Sequence, residues 1–185
     1  MKPWKTKKSE YPLRDRWLTV RADSCETADG VSIAPYYVLE YPDWVHVVAL
    51  DSENRVLITR QYRHAVGKVC VEIPCGGIEA GEEPVAAAQR ELREETGCAA
   101  ETFLRLSRLH PNPATHSNTI HSFLATGTTI AHSPDLDISE DITCEFLPVL
   151  SVLELIDSGE FSQALHVASL MLALRKQGLL GQGTG

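Results

Sequence analysis

Three glutamates, Glu91, Glu94 and Glu95, stand at the end of a segment with strong helical character, "PVAAAQRELREETG". Residues three and four apart share one face of a helix, so Glu91 neighbours both of the later carboxylates. Like charges at this spacing destabilise a helix, and the negative end of the helix dipole adds to the repulsion. A divalent cation would reverse both effects, because Mg²⁺ and Mn²⁺ take oxygen ligands and share them with substrate phosphates. The spacing therefore favours a metal site for phosphate chemistry, and a solvated charged face is the alternative.

A glycine turn precedes this helix and strengthens the metal interpretation. The stretch "EIPCGG", residues 72–77, predicts a strand that ends in a proline and two glycines. Gly76 and Gly77 allow a sharp turn and a close approach of the backbone to a ligand. The backbone carbonyl of Cys75 or Gly76 could then face the metal.

The complete pattern from Gly76 to Cys98 resembles the Nudix box without a gap. Its matching positions are Gly76, Glu82, Arg90, Glu91, Leu92, Glu94, Glu95 and Gly97. Cys98 is the one departure, since the family usually has an aliphatic residue there. The resemblance implies a Nudix fold, in which a mixed sheet is sandwiched between helices, and metal-dependent hydrolysis of a nucleoside diphosphate linked to another group. It also implies that Glu91, Glu94 and Glu95 bind Mg²⁺ or Mn²⁺, and that four residues support the loop and helix: Gly76, Glu82, Arg90 and Gly97.

Further stretches resemble the ADP-ribose pyrophosphatase branch of that family. They are "LITRQYRHAVG" at residues 57–67, Pro113 sixteen residues after Gly97, and "SGEF" at residues 158–161. The branch implies cleavage of ADP-ribose to AMP and ribose 5-phosphate. Ala114 stands where the branch usually has a glycine, which leaves GDP-mannose and other nucleotide sugars open. A nucleotide-binding module that does not cleave and an enzyme that removes damaged nucleoside triphosphates also stay open, although an intact box favours an enzyme.

The same resemblance implies the residues that contact substrate. Arg63 and Arg60 match the region that contacts the diphosphate. Trp17 and Tyr37 match aromatic residues that stack on the base. Pro113 marks a loop at the substrate site. Exposed strand arginines and ordinary aromatic packing are the competing interpretations.

The branch takes its catalytic base from an acidic loop after the box. In this chain that loop is "AHSPDLDISEDIT", residues 131–143, and Glu140 is the predicted base or metal ligand, with Asp137 and Asp141 next in order. Glu94 and Glu95 complete the predicted catalytic set. The alternative is an acidic loop that is merely solvated, since loops are commonly polar.

Charge and cysteine content restrict the partners and the compartment. The net charge of −8 disfavours a long nucleic acid or an anionic membrane, but a small anion can bind beside a local cation. The five cysteines are odd in number and show no CxxC spacing or metal-finger pattern, which indicates reduced thiols, and no apolar run reaches membrane-spanning length. We therefore expect a cytoplasmic protein that acts on a small molecule without nucleic acid or membrane.

The elements that position these residues follow from local patterns. Pro84 and Gly97 delimit a helix at residues 83–96, and runs of β-branched and aromatic residues predict strands. Strands are predicted at residues 16–23, 31–41, 43–51, 55–63, 70–74, 119–126 and 142–149, and further helices at residues 150–159 and 161–178. This order predicts an α+β fold.

The predicted domain organisation has three parts. Residues 1–41 form an N-terminal strand segment, residues 42–178 form the Nudix hydrolase domain, and residues 179–185 form a flexible tail. The first segment adds sheet edge and aromatic residues that a monomer would leave uncovered, which predicts a homodimer.

Overall fold

The computed structural model describes residues 2–180 of the 185-residue chain. It contains two compact units. The N-terminal unit comprises the residues up to Asp43 together with His110–Thr119, and the core unit comprises Trp44–Leu109 together with the residues from Ile120 onwards. The predicted domain boundaries at residues 41/42 and 178/179 stay predictions, and most of the predicted tail lies outside the described residues.

The N-terminal unit is built on a three-stranded antiparallel sheet in the order β1-β2-β3. Its strands are β1 (Lys5–Arg14), β2 (Thr19–Glu26) and β3 (Ser32–Glu40). Sequence patterns do not predict β1, because the strand is exposed at every residue and carries no apolar alternation. A shift of register between Glu10 and Leu13 accommodates Pro12, which cannot donate a hydrogen bond to a neighbouring strand.

As far as residue 180, the core unit contains three short sheets and three helices. Its strands are β4 (Trp44–Ala49), β5 (Val56–Arg63), β6 (Lys68–Glu72), β7 (Cys75–Gly77), β8 (Cys98–Ala99), β9 (Thr102–Leu109), β10 (Ile120–Thr126), β11 (Thr129–Ile130) and β12 (Ile142–Leu147). The helices are α1 (Pro84–Thr96), α2 (Val149–Asp157) and α3 (Ala164–Lys176). The sheet orders are β7-β4-β10-β9, β12-β5-β6 and β11-β8. Because β4 and β10 pair in parallel and β9 and β10 antiparallel, the predicted mixed α+β architecture is confirmed.

Helices cover both faces of these strands. Consecutive residues of a strand point to opposite faces, and here they enter different apolar clusters. Val48, Ile58 and Leu124 pack in one cluster with residues of α2 and α3, while their neighbours Val47, Leu57 and Phe123 pack in the other with residues of α1. The sandwich of sheet between helices therefore follows from this alternation.

The helix of the acidic box begins one residue after its predicted start and ends at the predicted residue, Thr96. It begins at Pro84, whose fixed φ suits a first helical position, and Gly97 caps its end with φ 68°. A side chain at Gly97 would meet the carbonyl oxygen of His132 at 2.2 Å, so only glycine fits there. Strand β9 was not predicted, because Arg105 and Arg108 interrupt its apolar residues. None of the helices in residues 2–180 is long and apolar enough to cross a membrane.

Candidate active site

Arg90 lies at the centre of a charged network between α1 and the turn that precedes it. Its Nε donates to Glu82 Oε1 at 2.9 Å, and its Nη2 donates to Glu82 Oε2 at 3.0 Å and to the Gly77 carbonyl at 2.9 Å. Its Nη1 donates to Glu91 Oε1 at 2.8 Å and to Glu94 Oε2 at 3.2 Å. The Arg90 hydrogen bond lowers the pKa of Glu82. Arg90 and Glu82 thus join the turn to the helix, and Arg90 partly offsets the negative charge of the box.

Glu95 is buried and faces the turn. Only 6% of it is exposed, and its Oε2 accepts a hydrogen bond from the Cys75 backbone N–H at 3.0 Å. The pKa of Glu95 is raised to about 8, first by burial and then by the nearby charges of Glu91 and Glu140, while the hydrogen bond from Cys75 opposes the shift. The pKa of Glu91 is also raised, first by burial and then by Glu94 and Glu140, while Arg90 opposes the shift. Four carboxylates therefore share one site.

Gly76 allows this crowding because it has no side chain. A Cβ at Gly76 would lie 2.0 Å from Cδ of Glu91, whereas a Cβ at Gly77 would meet nothing within 4 Å. Gly76 is paired with Val45 in the β4–β7 ladder, so the backbone cannot easily retreat. The two glycines of the motif consequently have different roles, which the sequence pattern alone does not separate.

The acidic loop is anchored to the end of α1. Backbone N–H groups of Ala131 and His132 both donate to the Gly97 carbonyl at 2.9 Å, and Asp135 N–H donates to the Glu94 carbonyl at 2.8 Å. These bonds fix the start of the loop beside the box glutamates.

Within the loop, Glu140 is the carboxylate that the fold turns toward the box. Glu140 N–H donates to the Asp137 carbonyl at 2.8 Å, and Asp137 N–H donates to Glu140 Oε2 at 3.1 Å. Glu140 is half-buried, and its charge acts on both Glu91 and Glu95, whereas Asp137 and Asp141 are exposed. The structure thus brings Glu140 together with the predicted ligands.

The two predicted arginines lie on opposite faces of β5. Arg63 shares its face with Leu57, on the α1 side, and its Nη2 lies 2.6 Å from Glu72 Oε2 and 3.9 Å from Cys75 Sγ. Arg60 shares its face with Ile58, on the side of α2, and pairs with Glu145 at 3.2 Å. The fold therefore brings Arg63, but not Arg60, to the carboxylate side of the sheet.

The other three predicted substrate residues, Trp17, Tyr37 and Pro113, belong to the N-terminal unit and are exposed. The exposed fraction is 74% for Trp17 and 52% for Tyr37, so both rings are accessible to a ligand or a second chain. Tyr36, which neighbours Tyr37, donates its hydroxyl to the Ala114 carbonyl and holds the Pro113 loop against β3.

Two buried polar residues behind the turn were not predicted to be functional. Glu72 accepts from Arg63, and Nδ1 of His166, on α3, accepts the Ile73 backbone N–H at 3.2 Å. Burial lowers the pKa of His166, which suits a neutral ring that accepts at this nitrogen. Ligand atoms of Glu72, Cys75 and His166 lie within 4.8 Å of one another, but those of Glu72 and His166 are already engaged. The sequence did contain a signal for a buried polar role of His166, because this histidine stands inside the apolar run "ALHVASLMLAL".

Comparisons with known proteins agree with this fold. Residues 40–167 match the family described as NUDIX domain, and residues 4–39 match the nucleoside diphosphate sugar hydrolase N-terminal domain. The chain belongs to the Nudix family. The Nudix fold and the enzyme class predicted from the box are thereby confirmed: the protein is a Nudix hydrolase of the type related to ADP-ribose pyrophosphatases.

Two curated relatives carry that activity in their names. The chain is 29% identical over 146 residues to the ADP-ribose pyrophosphatase of Bacillus subtilis, and the aligned residues make up 78% of this chain and 79% of the relative. It is 31% identical over 144 residues to the ADP-ribose pyrophosphatase of Mycobacterium tuberculosis, covering 77% and 70%. A crystal structure described as an ADP compounds hydrolase matches with a TM-score of 0.85 at 24% identity, covering 96% of this chain and 97% of that one. At this identity the structural match shows the fold alone.

Proposed function

We propose that this Nudix hydrolase cleaves the diphosphate of a nucleoside diphosphate sugar, and that its substrate is ADP-ribose, which yields AMP and ribose 5-phosphate. The observation that carries the proposal is the convergence of Glu91, Glu94, Glu95 and Glu140 beside the Cys75–Gly76 turn. The names of the two bacterial relatives support the choice of substrate.

The donor set suits Mg²⁺ or Mn²⁺. The site offers carboxylate oxygens, the ligands that hard divalent cations prefer. The space that a Cβ on Gly76 would fill is taken by the Glu91 carboxylate, which brings this oxygen donor close to the turn. Glu91, Glu94, Glu95 and the Cys75 backbone carbonyl would hold the cation, which supplies charge neutralisation of the diphosphate and acidifies a water molecule.

The remaining charged residues have separate roles in the proposed reaction. Glu140 accepts a proton from the attacking water, with Asp137 and Asp141 as the next candidates. Arg63 binds the diphosphate by giving up its hydrogen bond to Glu72 and donating to a phosphate oxygen instead. The exchange is feasible because the guanidinium fork fits both a carboxylate and a phosphate. Arg60 faces the α2 side, and its contact with the diphosphate stays a prediction outside this mechanism.

The N-terminal unit supplies the groups proposed to recognise the base. Trp17 and Tyr37 expose aromatic faces suited to stacking, and the Pro113 loop helps to shape the substrate site. Ala114, in that loop, is the feature that favours a second candidate, hydrolysis of GDP-mannose or another nucleotide sugar.

A homodimer in the cytoplasm is part of the same proposal. β1 is an edge strand of its sheet, and Trp4, Tyr11 and Leu13 are exposed apolar residues in or beside it. A second copy of the chain could cover this edge. All five cysteines are free, which fits a reducing compartment.

One substrate screen tests the proposal. The protein is incubated with Mg²⁺ and, separately, ADP-ribose, GDP-mannose, NADH, diadenosine polyphosphates and nucleoside triphosphates, and products are identified by chromatography. We expect the largest kcat/KM with ADP-ribose, no turnover in EDTA, and no turnover by Glu94→Gln at any Mg²⁺ concentration. A larger kcat/KM with GDP-mannose would select the second candidate. Tight binding without cleavage of any substrate would indicate a binding module.

A further inference from the structure

A pocket of about 410 Å³ lies in the core unit beside α1, and Glu91, Glu94 and Glu95 are not among the residues that line it. Its volume falls within the roughly 300–1,000 Å³ of small-molecule sites. Ala99, Ala100 and Phe103 contribute apolar surface to it. Such a pocket, which is open on one side, can cover part of the apolar body of a small ligand.

The charged side chains that line this pocket are two arginines. Gln89, Arg93 and His132 line it and are exposed, and Arg90 lines it as well. No carboxylate is among its lining residues, all of which belong to the described part of the chain. In a protein of net charge −8 the lining of this pocket has a local excess of cationic and hydrogen-bond-donating groups. Guanidinium groups bind oxyanions through paired, charge-assisted hydrogen bonds.

Arg90 and Arg93 also connect the pocket to the carboxylates. Arg90 Nη1 donates to Glu91 and Glu94, and Arg93 Nη2 donates to Glu94 Oε1 at 2.9 Å. A cation on Glu91 and Glu94 competes with both arginines for the same oxygens. Arg90 stays bonded to Glu82 and the Gly77 carbonyl when the cation takes these oxygens. Arg93, once released from Glu94, gains freedom to bind an anion in the pocket, and an anion that draws Arg93 away frees Glu94 for the cation.

We propose that this pocket binds a small aromatic monophosphate, and that the bound monophosphate and the divalent cation strengthen each other's binding. The aromatic body occupies the apolar surface near Phe103, and the phosphate faces Arg93 and His132. The binding itself is independent of the reaction, whereas the coupling rests on the proposed function because it requires a cation on the glutamates. Coupling between binding sites is reciprocal, and typical values correspond to about fivefold or more in affinity.

The binding is tested by calorimetric titration of 1-naphthyl phosphate into the metal-free protein. The matched probes are 1-naphthol, which lacks the charge, and inorganic phosphate, which lacks the aromatic body. We expect both to bind at least tenfold more weakly than 1-naphthyl phosphate. Equal affinity for 1-naphthol would overturn the role of the cationic groups, and no measurable binding of 1-naphthyl phosphate would overturn the site.

Two pairs of variants locate the site. Ala86 lines the pocket, and Ala86→Phe should weaken binding at least tenfold by filling it, whereas Val85→Phe, on the same helix but outside the lining, should change it less than twofold. If Ala86→Phe fails to fold, Arg93→Gln keeps the pocket open and should weaken binding several-fold. Arg175→Gln removes the same charge from α3 and should have no effect. Unchanged affinity in Ala86→Phe or Arg93→Gln would overturn the location.

The coupling is tested by repeating the titration in saturating Mg²⁺. We expect the affinity for 1-naphthyl phosphate to rise about fivefold, and Glu94→Gln to keep the binding but lose the rise. An unchanged or reduced affinity in Mg²⁺ would overturn the coupling. These outcomes are distinct from those of the proposed function, because a failure to hydrolyse ADP-ribose contradicts that function and a failure to bind the probe contradicts the pocket.

Discussion

Replacing Glu95 with glutamine is expected to stabilise the metal-free protein at about pH 8, because the ionised carboxylate is buried beside two like charges. The pKa of Glu95 is raised from 4.5 to about 8, first by burial and then by Glu91 and Glu140. Each unit corresponds to about 1.4 kcal/mol, so ionising Glu95 in the folded state costs up to about 5 kcal/mol. A glutamine side chain has no charge to bury and keeps an oxygen that can accept the Cys75 N–H bond.

The pH dependence has a definite sign. Between pH 4.5 and about 8 the folded protein holds a proton on Glu95 that the unfolded chain has released. The folded state therefore binds more protons, and the free energy of unfolding falls as the pH rises through this window. Above about pH 8 both states are ionised and this slope ends.

Urea denaturation in EDTA at about pH 5 and about pH 8 measures the effect. Wild type should lose stability between the two values, and Glu95→Gln should lose several kcal/mol less. Glu154→Gln, which removes an exposed carboxylate on α2, is the matched control and should follow wild type. Mg²⁺ should stabilise wild type and leave Glu95→Gln nearly unchanged. If Glu95→Gln is less stable than wild type at pH 8, the carboxylate is a structural group and the reasoning fails.

Three further predictions concern the turn, the base and the assembly. Gly76→Ala should reduce kcat/KM at least tenfold and raise the Mg²⁺ concentration that activity requires, because its Cβ would collide with Glu91. Gly77→Ala should leave kcat/KM nearly unchanged, since its Cβ would meet nothing within 4 Å. Equal losses of activity in the two variants would contradict this. Glu140→Gln should lower kcat by roughly 10²–10⁴-fold with little change in KM, and full activity would move the base to another carboxylate. Light scattering should give the mass of a dimer, and a monomer at micromolar protein would refute the assembly.

The sequence alone predicted the chemistry of the box and determined the helix that carries it. The identities and spacing of Gly76, Glu91 and Glu95 were sufficient to predict a turn, a helix and a clustered set of oxygen ligands. The bounds of α1 could be predicted because its start and stop signals act locally: Pro84 suits the first turn, and Gly97 adopts a left-handed φ. The family assignment followed from the same local pattern and is confirmed.

Only the tertiary structure decided which distant groups meet this box. β1 has no apolar alternation and forms through pairing with β2, and Glu140 approaches Glu91 because bonds from the acidic loop to Gly97 and Glu94 fold the loop back. The alternation of a strand places Arg60 and Arg63 on opposite faces of β5. Only the packing of the helices shows that the face of Arg63 is the one covered by α1. The physical reason is that helix signals act within a few residues, whereas strand pairing and charge proximity depend on residues far apart in the chain.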